Sequence, residues 1–415
     1  MAFRLLHTSD WHLGQHFYGK SRLNEHRQFL DWLLEQIATQ QIDAVVVAGD
    51  IFDTGTPPSY ARELYFDFVV KMHALDCPLV VLAGNHDSVA MISESKTVLS
   101  KLGCHVIAKA QSFDEDPHQI VKLENKAGDS CIICAIPFIR PRDIVASTAG
   151  QSATDKQQAL QQAIADHYQQ LIEQAKAEES GASAIVATGH LTTVGASTSE
   201  SVRDIYIGTL DAFPASAFPE VDYIALGHIH KSQKVAKSEH IRYCGSPIAL
   251  SFDEDASKKS VNIASFEQGI LTEVEQLAVP VFQPMASVSV ALEQLKDKVT
   301  ALVSDAKLTE DQTLWLDIAI DTSDYLTDLS ARVQEALTDL PAEVLLVRRA
   351  KTQSKTLQSE DKITLDELNT HDVFAARLAQ ETWEDEGQAE RKERLVTLFN
   401  QVVEQCQQDN SEQNS

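Results

Sequence analysis

The chain is poor in positive charge. Its 415 residues carry 35 Lys and Arg against 61 Asp and Glu, a formal net charge of −26, which argues against a protein that holds a polyanion by its own diffuse positive field. Any nucleic-acid role therefore needs metal ions, a local groove or a basic partner. Cysteine is also scarce, with Cys77, Cys104, Cys131, Cys134, Cys244 and Cys406 in so long a chain, and a disulfide framework is excluded. Cys131 and Cys134 form a CxxC inside the apolar run "CIICAIPF", with no second pair to complete a zinc site; buried thiols in a strand are expected. Long apolar runs are missing too, and none approaches the ~18 residues of a membrane span. Met1 to Leu6 leads straight into the polar "HTSDWH", unlike a signal peptide. The expected location is cytoplasmic, without membrane association.

What is present is enough apolar residue, 43%, for a substantial core and two or three domains. Residues 1 to 270 alternate strand-like stretches ("FRLLHT", "DAVVVAG", "PLVVLAG", "CIICAIP", "SAIVATG", "DYIALG") with helical patterns, which predicts a layered α/β domain with central sheets flanked by helices. In "NEHRQFLDWLLEQIATQ", Phe29, Leu30, Leu33, Leu34 and Ile37 share a helix face. "SYARELYFDFVVKMHAL" follows Pro57 and Pro58, with Ser59 expected as its N-cap. A third helix is expected over "DKQQALQQAIADHYQQLIEQAKAEE". Residues 275 to 349 repeat the alternation as a small separate α/β domain, including "TLWLDIAI" as a half-buried strand with Leu314, Leu316, Ile318 and Ile320 on one face. Residues 350 to 363 read as a linker, 364 to 407 as a helical hairpin fit for a partner, and 408 to 415 as a disordered tail.

Five strand candidates end in residues that bind metals. They supply Asp10 and His12; Asp50 and Asp53; Asn85, His86 and Asp87; His190; and His228 with His230. Glycine precedes the first polar residue in four of them, allowing a tight turn and close backbone approach. Ligands bind at the carboxyl ends of strands in α/β sheets, so the five ends are expected to converge. Each motif alone would more often be turn chemistry or surface histidine; five at consecutive strand ends make that improbable. Asp10, His12, Asp50, Asn85, His190, His228 and His230 are seven side chains, and one bridging carboxylate lets them serve two ions. Two ions at roughly 3.5 to 4 Å activate a hydroxide and stabilise in-line displacement at phosphorus. Imidazole, carboxylate and amide oxygen without cysteine favour Mn or Fe, do not exclude Zn, and fit Mg poorly. His86 is expected to protonate a leaving oxygen, oriented by Asp53 or Asp87, with an eighth ligand as the alternative.

The series DxH, GDxxD, GNHD, GH, GHxH resembles the calcineurin-like metallophosphoesterases in every motif and in order. Within that superfamily, "HTSDWHLGQ", "AGDIFDTGTPPSYAR", "LAGNHDS", "IPFIRPRD", "ATGHLTTVGASTSESVRDIYIGTLDAFP", "RYCGSPIALSFDE" and "LPAEVLLVRR" resemble the SbcD family, the nuclease subunits of bacterial SbcCD-type complexes. The resemblance covers residues 1 to about 349 well and the C-terminal helices more loosely. It implies a Mn-dependent phosphodiesterase on DNA ends and hairpins, acting with an SbcC-like coiled-coil ATPase as an ATP-dependent double-strand exonuclease and a single-strand or hairpin endonuclease in repair, recombination and replication. By family pattern, Asp10, His12, Asp50 and His230 would hold one ion and Asp50, Asn85, His190 and His228 the other, with His86 catalytic. Residues 275 to 349 would cap the DNA groove, the terminal helices would dock on the ATPase, and helices over 22 to 41 and 59 to 75 would make a homodimer within a heterotetramer. Archaeal relatives carry histidine where this chain has Asp53, so exonuclease details do not transfer from them. Arg140, Arg142 and Arg203 are candidate phosphate contacts, with surface ion pairing equally open for each. Two rivals remain: a phosphomonoesterase or cyclic-nucleotide phosphodiesterase using the same metals, and a non-catalytic scaffold.

Overall fold

The structure is a computed structural model that describes residues 2–111, 117–145, 152–178, 182–199, 201–202, 212–254, 256–310, 312–321 and 328–350, with positions 394, 395 and 399. The chain divides into two units, Met1–Ala350 and Lys351–Ser415. The linker, terminal hairpin and tail expected from the sequence lie almost wholly outside the described residues.

Two six-stranded sheets form the centre of the first unit. The first runs in the order Ile270–Ala278, Ser260–Glu267, Phe3–Thr8, Ala44–Ala48, Leu79–Leu82, Cys104–Ile107, so its edge strand extends to Ala278. The second runs Gln233–Lys234, Ile241–Tyr243, Tyr223–Gly227, Ala184–His190, Ser130–Cys134, Ile120–Glu124. Side-chain alternation divides each strand between two cores. Val45 and Val47 face the helices Leu23–Thr39 and Ser59–Ala74, against Phe29, Leu33 and Phe68. Ala44, Val46 and Ala48 face the other sheet, against Ala184, Val186 and Ala225. The second sheet places Ile132, Cys134, Ile224 and Leu226 under the long helix Ala153–Glu178. The result is helix, sheet, sheet, helix. Alanines at the inter-sheet positions let the two backbones come close, and this matters where the strands end.

The helices follow their apolar faces. Phe29, Leu30, Leu33 and Ile37 are buried on the first helix, with Leu34 partly buried against the same core. Ser59 is not the cap of the second helix but its first residue, and Pro58 is the N-cap. The reason is that the extended Pro58 places its carbonyl to accept from Ala61 N–H at 3.0 Å, so the ladder starts one residue earlier. Cys131 and Cys134 are free and buried, as are the other described cysteines. Burial pushes the Cys134 thiol up to about 12, and among the described residues neither thiol belongs to a group that could hold a metal.

Residues 285–349 build a separate parallel sheet in the order Met285–Val290, Leu314–Ile320, Ala342–Arg349, covered by helices Leu295–Asp305 and Leu329–Leu337. Leu314, Leu316, Ile318 and Ile320 face the helices, together with Leu295, Val299 and Val333. The central strand is nevertheless buried on its other face too. There Trp315 stacks on Phe17 with centroids 5.8 Å apart, and Asp317 is gripped by Arg348. Phe17 belongs to a small hairpin, His16–Phe17 with Lys20–Ser21, and Lys20 pairs with Glu343. That hairpin joins the small sheet to the end of the first sheet where the polar residues gather.

Candidate metal centre

The five polar strand ends converge, but from two sheets instead of one. Strands Phe3–Thr8, Ala44–Ala48 and Leu79–Leu82 are parallel in the first sheet, and Ala184–His190 with Tyr223–Gly227 are parallel in the second. Their carboxyl ends meet at one edge of the sandwich. Asp10 N–H donates to Gly49 C=O at 3.0 Å and His12 N–H to Asp50 C=O at 3.1 Å, which clamps the first two loops together. Asp10, His12, Asp50 and His228 have φ of 55°, 47°, 50° and 90°. Such left-handed backbone costs roughly 1 kcal/mol or more per non-glycine residue. The structure spends this at the residues that carry the polar groups, not at the preceding glycines alone. At Gly84 and Gly227 what matters is space: a Cβ would lie 2.1 Å from Asp50 Oδ1 or 2.0 Å from Ala48 O.

The side chains then face one another. Asp50 Oδ2 is 3.6 Å from His12 Nε2 and 3.2 Å from His190 Nε2, and its Oδ1 accepts from His86 N–H at 2.9 Å. Asn85 Oδ1 is 2.9 Å from His190 Nε2 and 3.1 Å from His228 Nδ1. His190 Nδ1–H donates to Ala48 C=O at 2.9 Å, which points Nε2 at Asp50 and Asn85. Atoms each ~2.1 Å from one ion lie about 3 Å apart at right angles. The spacing of Asp50, Asn85, His190 and His228 fits that. On the other side, Asp10, His12 and His230 bring ligand atoms within 4.8 Å of one another, as do His12, Asp50 and His86. His12 Nε2 and His228 Nε2 are buried with no hydrogen-bond partner among the described residues.

Electrostatics point the same way. Burial works to lower His190, but the Asp50 carboxylate outweighs it and raises the imidazole to about 9. His12 is raised against its burial by Asp53, Asp50 and Asp10. Burial, followed by the charge of His190, drives His228 well down. Burial alone would raise Asp50, yet His190 and His12 hold it well below the usual carboxylate range. The carboxylates draw positive charge into a place where buried imidazoles are the nearest source of it.

His86 needs a correction. Asp87 does not orient it: its buried carboxylate accepts from the N–H groups of Gly84, Ile51 and Phe52 at 2.8, 3.1 and 3.0 Å. Burial and nearby Asp50 push Asp87 up to about 6, against those three donors. Asp53 does hold His86, but through its main-chain carbonyl, 2.8 Å from Nδ1. The Asp53 carboxylate lies 3.2 Å from His12 Nδ1 instead. Short side chains at strand ends turn back onto amides that need partners, whereas a longer imidazole reaches across the loop. His86 lines a cleft of about 380 Å³ with His12, Gln15, Tyr18, Asp53 and His230.

Arg140 sits near this cluster, half-buried, with Nη2 donating to Asp87 C=O at 3.1 Å and its guanidinium 5.3 Å from the Phe138 ring centroid. Arg142 is exposed, 3.9 Å from Asp143. Arg203 lies outside the described residues. Sequence reasoning missed Gln15 and Tyr18 in the cleft wall and the buried Glu254 and Lys259 behind His230. A Glu five residues before a Lys just after the small and apolar "SPIALSF" was the available signal.

Two family models match the chain: calcineurin-like phosphoesterase over residues 3–232, and type 5 capsule protein repressor C-terminal domain over residues 281–382. The SbcD subunit of nuclease SbcCD from Escherichia coli (strain K12) is 51% identical over 403 residues, 95% of this chain and 97% of that protein. Its counterpart of the same name from Bacillus subtilis (strain 168) is 29% identical, covering 78% and 80% of the two chains. That from Rhodobacter capsulatus is 29% identical over 84% and 88%. With these matches spanning both sheets and the small parallel sheet beyond them, the chain belongs to the calcineurin-like phosphoesterases and, within them, to the SbcD family of nuclease subunits.

Proposed function

We propose that this chain is a two-metal DNA phosphodiesterase, the nuclease subunit of an SbcCD-type complex that degrades duplex ends and opens hairpins with an SbcC-like ATPase. Asp10, His12, Asp50 and His230 hold one ion, and Asp50, Asn85, His190 and His228 the other, with manganese the favoured metal. One observation carries the reading: a single carboxylate oxygen of Asp50 faces both His12 and His190, at 3.6 and 3.2 Å. When bound, two such ions supply Lewis acidity to a phosphate oxygen and lower the pKa of water.

The protein's own part is positioning and proton transfer. The Asp53 carbonyl keeps the proton on His86 Nδ1, so Nε2 is the nitrogen that faces the cleft. As water oxygen bonds to phosphorus and gives up a proton to solvent, and the P–O bond to the leaving strand breaks, His86 acts as the imidazolium: it passes the second proton, on Nε2, to the departing oxygen and ends neutral with Nδ1–H on the Asp53 carbonyl. Asp87 acts upstream of this, tying the 51–52 and 84–87 loops so that Asp50 and His86 keep their spacing. Arg140, half-buried with Nη2 on the Asp87 carbonyl, would meet a phosphate from there. Residues 285–349, joined to the cleft through Phe17 and Trp315, serve as the cap, and exposed Phe66, Val70 and Leu75 support a homodimer through the second helix. The net charge of −26 supports an ATPase partner that supplies much of the duplex grip.

The test is cleavage of a hairpin-ended linear duplex by the full chain, alone and with its coiled-coil ATPase and ATP, in Mn, Mg and Zn. Hairpin opening and end degradation in Mn, dependent on the ATPase and ATP, are expected. Rapid p-nitrophenyl phosphate hydrolysis with DNA intact under all conditions would make the enzyme a small-substrate phosphoesterase instead.

A further inference from the structure

His230 has a second set of contacts that the proposed reaction does not use. Behind it lies Glu254, its side chain 4% exposed, paired with Lys259 at 7%. Glu254 Oε2 accepts from Leu250 N–H at 3.0 Å and lies 3.3 Å from Ser246 Oγ, whose proton has a nearer acceptor in Ile248 C=O at 2.9 Å. Glu254 Oε1 accepts from Ser199 at 2.8 Å and from Ser201, and lies 3.3 Å from His230 Nδ1 and 3.3 Å from Ser251 Oγ, whose proton goes to Asp253. Ser201 Oγ is itself 2.6 Å from that same nitrogen. Lys259 Nζ donates to His230 C=O at 3.0 Å and to Ser246 Oγ at 2.7 Å. Backbone and side chain of His230 thus depend on one buried ion pair.

Proton counting gives this arrangement a direction. A carboxylate beside a lysine accepts and has nothing to donate; a serine hydroxyl has one proton. Ser201 gives its proton to Glu254, so toward His230 it accepts. The imidazole must therefore carry its proton on Nδ1, which leaves the lone pair on Nε2 for an ion. Ser199 and Ser201 lie in the loop that follows the His190 strand, so the same contacts fasten that loop to His230.

We propose that Ser201, Glu254 and Lys259 form a positioning relay that sets the tautomer of His230 and fastens the loop of Ser199 and Ser201 to the ion position shared by Asp10, His12 and His230. The proposal rests on the metal-binding reading above. It makes one of the two ions, and not the other, sensitive to residues that touch no metal.

Isothermal titration of the full chain with Mn²⁺ tests this for wild type, Ser201→Ala, Ser201→Thr and Glu254→Gln, with melting of the metal-free forms measured alongside. Wild type should take two ions. Ser201→Ala should weaken one by about 10–100-fold, keep the other, and melt like wild type without metal. Ser201→Thr should restore the affinity, and Glu254→Gln should lose at least as much as Ser201→Ala. Wild-type affinities in both Ser201→Ala and Glu254→Gln, or equal weakening of both ions, would overturn the relay while leaving the metal reading intact. A wild-type chain that binds no Mn²⁺ would overturn the metal reading and the relay together. Should Glu254→Gln fail to fold, the Ser201 pair decides.

Discussion

Two regions of this molecule bury carboxylates, and they treat them differently. In the small parallel sheet, Asp317 is 1% exposed and receives two hydrogen bonds from Arg348, Nε at 3.0 Å and Nη2 at 2.5 Å. At the end of the two large sheets, Asp10 and Asp50 are as deeply buried. There the ion pairs of Asp50 among the described residues are with His12 and His190, and Asp10 is met by the His228 amide and the Ser9 hydroxyl. A buried charge is expensive unless its partner is equally well placed. The small sheet meets that requirement within the chain. The strand ends meet it only in part, and add left-handed backbone at four polar residues. Left-handed backbone and a carboxylate answered only in part coincide at the strand ends, where binding is proposed, whereas the small sheet pairs its buried carboxylate with a fixed cation.

The largest effect should come from removing the shared carboxylate. Asp50→Asn is expected to lose both ions and to reduce hydrolysis by about 10³-fold or more, read by Mn²⁺ titration and hairpin cleavage. Next is His86→Ser, which should retain two ions and lose about 10²–10⁴-fold in hydrolysis. Loss of an ion in that variant would make His86 a ligand. Third, Asp317→Ala should cost about 1–3 kcal/mol of stability, with Arg348 half-exposed and adding little, while Mn²⁺ binding stays at wild type. Equal loss of metal in Asp317→Ala would erase the contrast between the two regions.

The smallest effect concerns a histidine that is buried without being a ligand. His7 has both ring nitrogens engaged, Nδ1 with Tyr223 Oη at 2.9 Å and Nε2 with Leu226 C=O at 3.2 Å, whereas His12 Nε2 has no hydrogen-bond partner among the described residues. Burial lowers His7 to about 3 from 6.5. The folded state therefore refuses a proton that the unfolded state takes up below about 6.5, and stability falls as pH drops from there toward about 3. Melting in EDTA should decline over that window, less steeply in His7→Gln. A melting temperature independent of pH from 7 to 4 would contradict the assignment.

Much of the site was legible because it is written in short strings at strand ends. Asp10, His12, Asp50, Asn85, His190, His228 and His230 were all expected together, and they do gather. What the strings could not show was that the strands belong to two sheets, since alternation reports which faces are buried and not what covers them. The same limit hid the second covered face of the Leu314–Ile320 strand, where Trp315 and Asp317 look polar or oversized until Phe17 and Arg348 are in place. Asp53 was named beside His86, but its hold through the main-chain carbonyl was not legible, because a carbonyl leaves no trace in residue type. Glu254 carries contacts from four serines and a lysine spread over 61 positions, from Ser199 to Lys259, and no local pattern reveals such a hub.

The central claim is that Asp50 bridges two ions. Anomalous diffraction from crystals of the full chain grown with Mn²⁺ tests it most directly. Two peaks roughly 3.5 to 4 Å apart, both in contact with the Asp50 carboxylate, are expected, one beside Asp10, His12 and His230 and one beside Asn85, His190 and His228. A single peak, or two peaks of which one does not touch Asp50, would contradict it.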